Sequence, residues 1–194
     1  MTANASDFES EVRRLVSNVL AGVLDGPAST PQPTTQASPN PGKGIAIGAD
    51  HGGFGLKESL RAKLADGGWE VKDCGTDSAE ACDYPTLAHR VARQVANGTC
   101  SWGIMIDGAG IGSAMVANKV PGVRAAACYD LSTARNSREH NRANVLTLGA
   151  GLTGPALAWQ IVQEWLATPW GGDRHMRRVA LIREIEEMYA RSEA

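Results

Sequence analysis

The sequence predicts an α/β fold, a three-layer, doubly wound (Rossmann-like) five-stranded parallel sheet, and three observations predict it. From Gly44 onward, short β-branched or apolar runs alternate with segments of helical period. Several runs are continuously apolar, as in strands covered on both faces. Strand, helix, strand repeated in this way requires right-handed crossovers and therefore a parallel sheet between helical layers. The first strand is Ile45 to Gly48, followed by a helix over about Phe54 to Asp66. Next come the strand Trp69 to Asp73 and the helix Pro85 to Asn97, then the strand Trp102 to Asp107 and the helix Gly112 to Asn118. The strand Arg124 to Cys128 leads to the helix Leu131 to His140, and the strand Val145 to Leu148 to the helix Gly154 to Ala167. A last helical segment, about Asp173 to Arg191, carries Met176, Val179, Ile182, Ile185 and Met188 on one side, and is expected to cover a partner subunit.

The folded domain is expected over 44–194, with an interaction peptide over 1–25 and a Pro-rich linker over 26–43. Five of the nine prolines fall between Pro27 and Pro41, among Ala, Ser, Thr, Gln, Asn and Gly, which describes a solvated, semi-extended chain. Before it, Phe8, Val12, Leu15, Val16, Val19, Leu20 and Val23 recur at the spacing of one helix face. Ser6 or Asp7 suits its N-cap, and Asp7, Glu9 and Glu11 suit the positive end of its dipole. Such a stripe folds back on the body or docks on another protein. A short helix held off by a long linker gains little from covalent closeness, which favours docking over residues 6–24.

Charge and composition exclude other classes. Lys and Arg number 19 against 21 Asp and Glu, for a net charge of −2, with no basic block to neutralise a run of phosphates, so nucleic acid is not an expected partner. The apolar runs are strand length, short of a membrane span, and the N-terminus lacks a basic region followed by an apolar one. The expectation is a soluble protein that is not secreted, with no membrane partner. The cysteines at 74, 82, 100 and 128 form no Cys-x-x-Cys pair and have no histidine at zinc-finger spacing, so structural zinc is not expected and the thiols are expected to be reduced.

Polar residues collect at strand ends, where a doubly wound fold places its ligands. The first strand runs into Gly48-Ala49-Asp50-His51-Gly52-Gly53 and the third into Asp107-Gly108-Ala109-Gly110-Ile111-Gly112. Three glycines let backbone N–H groups close on an oxyanion or phosphate at a helix N-terminus. The pattern is neither the dinucleotide fingerprint nor a P-loop. Of the four histidines, His51, His140 and His175 stand in polar company, while His89 lies within an amphipathic helix and reads as structural. Asp107 alone would also serve as a helix cap. A carboxylate beside an anion cradle, with histidines nearby, nonetheless suits reversible proton abstraction next to a carbonyl.

Six blocks in order carry a resemblance: Ala49-Asp50-His51-Gly52-Gly53 with Lys57; Asp83-Tyr84-Pro85; Gly108-Ala109-Gly110-Ile111-Gly112; Ala117-Asn118-Lys119 with Gly122-Val123-Arg124; Arg138-Glu139-His140-Asn141 with Asn144-Val145-Leu146; and Gly172-Asp173-Arg174-His175. Over about Gly44 to Glu187 the chain resembles the sugar-phosphate isomerases that comprise B-type ribose-5-phosphate isomerase and the subunits of galactose-6-phosphate isomerase. The resemblance implies an enzyme with no metal or nucleotide cofactor, which opens a furanose ring and moves a proton between carbons 1 and 2 through a cis-enediol. It implies a homodimer or tetramer with sites at subunit interfaces and a small sugar phosphate as partner. Catalysis falls to Asp107 as base and His140 as ring-opening acid/base. Binding falls to Asp50, His51, Tyr84, Gly108, Gly110, Gly112, Asn141, Arg174 and His175, with Arg174 and His175 reaching across from the partner chain.

Four positions depart from the family pattern. Asp107 stands where one branch has a cysteine base, Ser113 where another has a glutamate, Ala109 where a threonine is usual, and Gly151 where a phosphate-binding arginine is usual. Two other readings therefore stay open, a different sugar phosphate or an unphosphorylated sugar on the same fold, and a non-catalytic sugar-phosphate-binding protein. The N-terminal helix and linker resemble the encapsulation peptides of bacterial microcompartments. That likeness implies a cytoplasmic protein inside such a compartment, held by a shell or cargo partner.

Overall fold

The computed structural model describes residues 44–190. The predicted peptide over 1–25 and linker over 26–43 lie outside the described residues. The strands are β1 (Gly44–Ala49), β2 (Val71–Asp73), β3 (Cys100–Asp107), β4 (Ala125–Ala127) and β5 (Val145–Gly149). The helices are α1 (Phe54–Asp66), α2 (Tyr84–Ala96), α3 (Ile111–Ala117), α4 (Leu131–Glu139), α5 (Pro155–Ala167) and α6 (Asp173–Ala190). All strand pairs are parallel, in the order β2-β1-β3-β5-β4.

The fold class is as the sequence predicts; the central strands β1 and β3 are each two residues longer than predicted, and the edge strands β2 and β4 each two shorter. β2 is shorter than Trp69 to Asp73 because the Trp69 N–H turns back to the Leu64 carbonyl at 3.1 Å, closing the end of α1. β1 and β5 are buried along their whole length, as continuous apolar runs require. One face of the sheet is large and aliphatic. There Ile45, Ile47, Ile104, Ile106, Leu146 and Leu148 meet Leu56, Leu60 and Leu64 of α1 and Ile161, Val162 and Trp165 of α5. The other face is small, because α2 comes close. A Cβ at Gly48 would stand 2.7 Å from a Val91 methyl, and one at Gly103 would stand 2.9 Å from the other.

Helices α1, α4 and α5 form one layer, and α2 and α3 the other. The chain thus leaves the neighbouring strands β1 and β3 toward opposite faces, which opens a crevice between their carboxyl ends, where ligands of doubly wound folds bind. Helix α6 begins at the opposite, amino edge. The Gly171 N–H donates to the Glu139 carbonyl at 3.0 Å, and the Gly122 N–H before β4 donates to Glu186 Oε2 at 2.9 Å. Val179 is buried, whereas Met176, Leu181, Ile182, Ile185 and Met188 are 44–66% exposed.

Candidate active site

At the carboxyl edge, β1 delivers Asp50 and His51. Asp50 is buried, and its Oδ1 accepts the Gly53 N–H at 3.0 Å, which tightens the turn into α1. A Cβ on Gly53 would stand 2.8 Å from the Ile106 carbonyl, so glycine lets this turn lie directly on β3. His51 is exposed, and its Nδ1 accepts the Cys82 N–H at 3.3 Å. Nε2 therefore carries the proton and is the ring nitrogen available to a ligand. Tyr84 opens α2 and lies on Gly112, where a Cβ would stand 2.5 Å from its hydroxyl.

β3 ends on Asp107, which is 5% exposed. Its carboxylate is turned into its own loop. Oδ1 accepts the N–H groups of Ala109, at 2.8 Å, and of Gly110. Oδ2 accepts the Ser113 N–H at 3.0 Å and the Ser113 hydroxyl at 2.5 Å. Gly110 adopts φ +78°, a conformation that favours glycine, and sits against the Leu148–Gly149 backbone. Two further side chains hold this loop. The Tyr129 hydroxyl donates to the Ala109 carbonyl at 3.0 Å, and the buried Thr147 hydroxyl to the Gly110 carbonyl at 2.7 Å. Gly108 and Gly151 meet at the rim, where the Gly151 N–H donates to the Gly108 carbonyl at 3.0 Å. Tyr129, Thr147 and the bond from Ser113 are absent from the sequence reading. Tyr129 was within reach of it, as a polar residue just past a strand end.

The second group stands at the amino edge. His140 caps the C-terminus of α4, and its ring stacks on that of His175 with centroids 4.2 Å apart and planes 13° apart. The Asn136 amide lies 2.9 Å from His140 Nδ1. An amide nitrogen only donates, so the His140 proton is on Nε2. Arg174 Nε donates to His175 Nε2 at 2.8 Å, which requires that nitrogen to be unprotonated. Consistently, burial first, then the charges of His140, Arg174 and Arg178, push the His175 imidazole below its ordinary value. Asn141 and Arg142 are exposed beside His140, and Arg142 has φ +51°. Arg138 behind them is buried, donates to the Ala143 carbonyl at 2.6 Å, and lies over Trp102 at 4.0 Å. Burial, with Arg142 and Arg124 nearby, lowers its guanidinium to about 10.

Every sequence-predicted site residue thus falls into one of two groups. Asp50, His51, Tyr84, Asp107, Gly108, Gly110 and Gly112 are at the carboxyl edge, and His140, Asn141, Arg174 and His175 at the amino edge. The register fixes this separation: Asp107 pairs with Gly149, while Gly103 N–H reaches back to the Asn144 carbonyl just before β5. At ~3.3 Å per residue, β5 alone separates the groups by roughly 13 Å. The four amino-edge residues belong together, so His140 and Asn141 go with Arg174 and His175 rather than with Asp107 of the same chain. Among the described residues, no three His, Cys, Asp or Glu converge closely enough to hold a metal ion. No described helix is long and apolar enough to cross a membrane.

Residues 45–182 match the model of the Ribose/Galactose Isomerase family. Ribose-5-phosphate isomerase B of Escherichia coli K12 is 46% identical over 145 residues, covering 75% of this chain and 97% of that protein. The solved ribose-5-phosphate isomerase B of Clostridium thermocellum superposes with a TM-score of 0.74 at 48% identity, covering 75% of this chain and 98% of that one. The Thermotoga maritima enzyme gives a TM-score of 0.71 at 42% identity, covering 73% and 98%. With this fold and with polar groups where the family's motifs fall, the chain belongs to the ribose/galactose isomerase family of sugar-phosphate isomerases and is an isomerase.

Proposed function

We propose that the chain interconverts ribose 5-phosphate and ribulose 5-phosphate, with each site formed by the carboxyl edge of one protomer and the amino edge of another. The observation that carries this reading is the separation of Asp107 and His140 on opposite edges of one sheet, since a base and a ring-opening acid must meet at one sugar. The apolar face of α6, exposed beside the amino-edge group, supports an interface there. The relatives named ribose-5-phosphate isomerase B support the substrate.

In this reading His140 relays a proton, giving its Nε2 proton to the ring oxygen as the proton of the anomeric hydroxyl replaces it, which opens the furanose. Asp107 takes the proton from carbon 2, the electron pair moves into the carbon 1–carbon 2 bond, and the carbonyl oxygen at carbon 1 becomes the enediolate. The hydroxyl proton on oxygen 2 moves to oxygen 1, and Asp107 returns its proton to carbon 1 as the carbon 2 oxygen becomes the carbonyl, which completes the shift. Negative charge passes from Asp107 to the enediolate oxygen and back, and the N–H groups of Ala109 and Gly110 stabilise the carboxylate while it is ionised. The phosphate falls to His51 of one protomer and to Arg174 and His175 of the other, and exposed Arg142 adds a cation to that group.

A different sugar phosphate is the second reading, favoured by Gly151. Its Cβ would stand 3.0 Å from the Gly108 carbonyl, so the rim is built around the missing side chain. Exchange of the carbon 2 proton with solvent, screened over ribose 5-phosphate, ribulose 5-phosphate and six-carbon sugar phosphates, separates the readings. Fastest exchange with ribose 5-phosphate is expected. Exchange confined to another sugar contradicts the substrate, and no exchange with any contradicts catalysis.

We also propose that residues 6–24 bring the enzyme into a bacterial microcompartment. The support is the apolar stripe from Phe8 to Val23 and the Pro-rich segment after it. Burying such a stripe is worth several kcal/mol at ~25 cal/mol per Å². Residues 1–42 fused to a soluble reporter are expected to place it in the compartment, and a reporter that stays dispersed contradicts the targeting.

A further inference from the structure

We propose that Ser113 is the positioning residue for Asp107, aiming its carboxylate and deciding when a lone pair is open to a substrate proton. The inference rests on the reading of Asp107 as the base.

The geometry is that of a charge with no charged partner. Among the described residues Asp107 is in no ion pair. The titratable groups at this edge are Asp50 and His51 after β1, Asp73 closing β2, Cys82 and Asp83 before α2, Tyr84 on Gly112, and Cys128, Tyr129 and Asp130 after β4, with Tyr129 on the Ala109 carbonyl. Asp107 is held instead by four donors, two on each oxygen. Two oxygens offer about four lone-pair positions, so as it stands the carboxylate has no free position for a fifth hydrogen.

Three of the four donors are backbone N–H groups, fixed by the loop and the first turn of α3. The fourth, the Ser113 hydroxyl, turns about a single bond. Ser113 is fully buried, so water does not offer it a new acceptor. When the hydroxyl turns about that bond away from Oδ2 and toward a substrate oxygen, the proton leaving carbon 2 bonds to the Oδ2 position just vacated. When Asp107 hands that proton to carbon 1, the hydroxyl turns back. The Ser113 proton stays on its oxygen throughout, and the substrate proton only changes carbons.

A thiol at 107 would need no such partner, and a glutamate at 113 would itself be the base. Aspartate at 107 with serine at 113 is a coupled pair that neither residue's position alone suggests.

Ser113→Ala removes one atom and adds none, so it is expected to fold and to assemble like the parent. With ribose 5-phosphate its kcat is expected to fall about tenfold with KM unchanged within about twofold. Its acidic limb of kcat/KM is expected about one pH unit above the parent's, the worth of one hydrogen bond to an ionised group. Ser113→Thr, which keeps the hydroxyl, restores both. Because a threonine methyl must fit a buried position, a second reading is taken directly: the carboxyl ¹³C resonance of Asp107 followed with pH in parent and Ser113→Ala, with or without turnover. A titration midpoint higher in Ser113→Ala supports the inference, and an unchanged midpoint overturns it. Asp107→Asn separates the two claims. If it isomerises within a few-fold of the parent, the assignment of the base fails. If it is inactive while Ser113→Ala keeps the parental limb and midpoint, only the role of Ser113 fails.

Discussion

A histidine stacked on another histidine with an arginine at its ring edge is a poor place for a proton, and His175 is in that position. Arg174 donates to its Nε2, so protonation costs that hydrogen bond and adds a positive group beside Arg174 and Arg178. Burial, the largest cause, and these charges hold His175 below its ordinary value in the folded protein. In the unfolded chain it titrates near its usual ~6.5. Between the two values the unfolded state binds more protons, so stability present above pH ~6.5 is lost as pH falls through the folded value. Unfolding free energy measured against pH is expected to decline on acidification below about 6.5, and the His175→Gln variant to decline less; parallel curves would contradict the assignment. Little of this was legible from Arg174-His175 as a dipeptide. The stacking on His140 brings α4 and α6 together across 35 positions of sequence, and no local pattern records such a contact. The carboxyl-edge candidates were more legible. Asp50, His51 and Asp107 follow strands directly, and a doubly wound fold sends strand ends to its ligand site. What spacing could not disclose is that Asp107 points into its own loop, because that depends on Ser113 six residues on.

One buried ion pair ties the first helix to the edge strand and so supports the site from behind. Lys57 is 1% exposed, and its ammonium bonds Asp73, at the end of β2, and Glu58. Burial is the largest single influence and disfavours its charge, yet the hydrogen bonds and charges of Asp73 and Glu58 together outweigh it and raise the ammonium's value. Arg61 and Lys57 in turn hold Glu58 at about 2. Asp73 Oδ1 accepts the Gly75 N–H at 2.9 Å, and from Gly75 the chain runs to Cys82, whose N–H orients His51. Lys57→Ala leaves two carboxylates without their buried cation and is expected to destabilise the fold by about 2–3 kcal/mol, less than a fully buried pair because Asp73 is partly exposed. A loss under ~0.5 kcal/mol in denaturant unfolding would contradict that role. At this scale the sequence was informative where burial is simple. The continuous runs of β1, β3 and β5 gave strands with both faces covered, and the period from Phe54 to Asp66 gave α1 to the residue. The edge strands β2 and β4 shrank to three residues each, since their ends are decided by turns rather than by apolar pattern. The insertion of β5 between β3 and β4 is a matter of crossover path, which the order of elements leaves open.

For the whole molecule, the parallel sheet makes the decisive constraint. Parallel strands put all residues that follow strands at one edge and all residues that follow helices at the other. His140, closing α4, and Asp107, closing β3, are therefore kept apart in any single chain of this topology. If both act on one sugar, as proposed, the site is built between protomers, and the apolar face of α6, exposed among the described residues, lies at the edge where that contact falls. Mixing two inactive variants distinguishes a site shared between protomers from one held within a single chain. Asp107→Asn and His140→Ala, each folded and each inactive alone, are unfolded together, refolded and assayed for ribose 5-phosphate isomerisation. If sites form between protomers, half of randomly paired dimers contain both variants, and each of those has one site with Asp107 from one chain and His140 from the other. Recovery of about a quarter of the parental activity is expected. A mixture as inactive as its two parts, although mixed dimers form, would place both residues in a site within one chain and rule out the shared site.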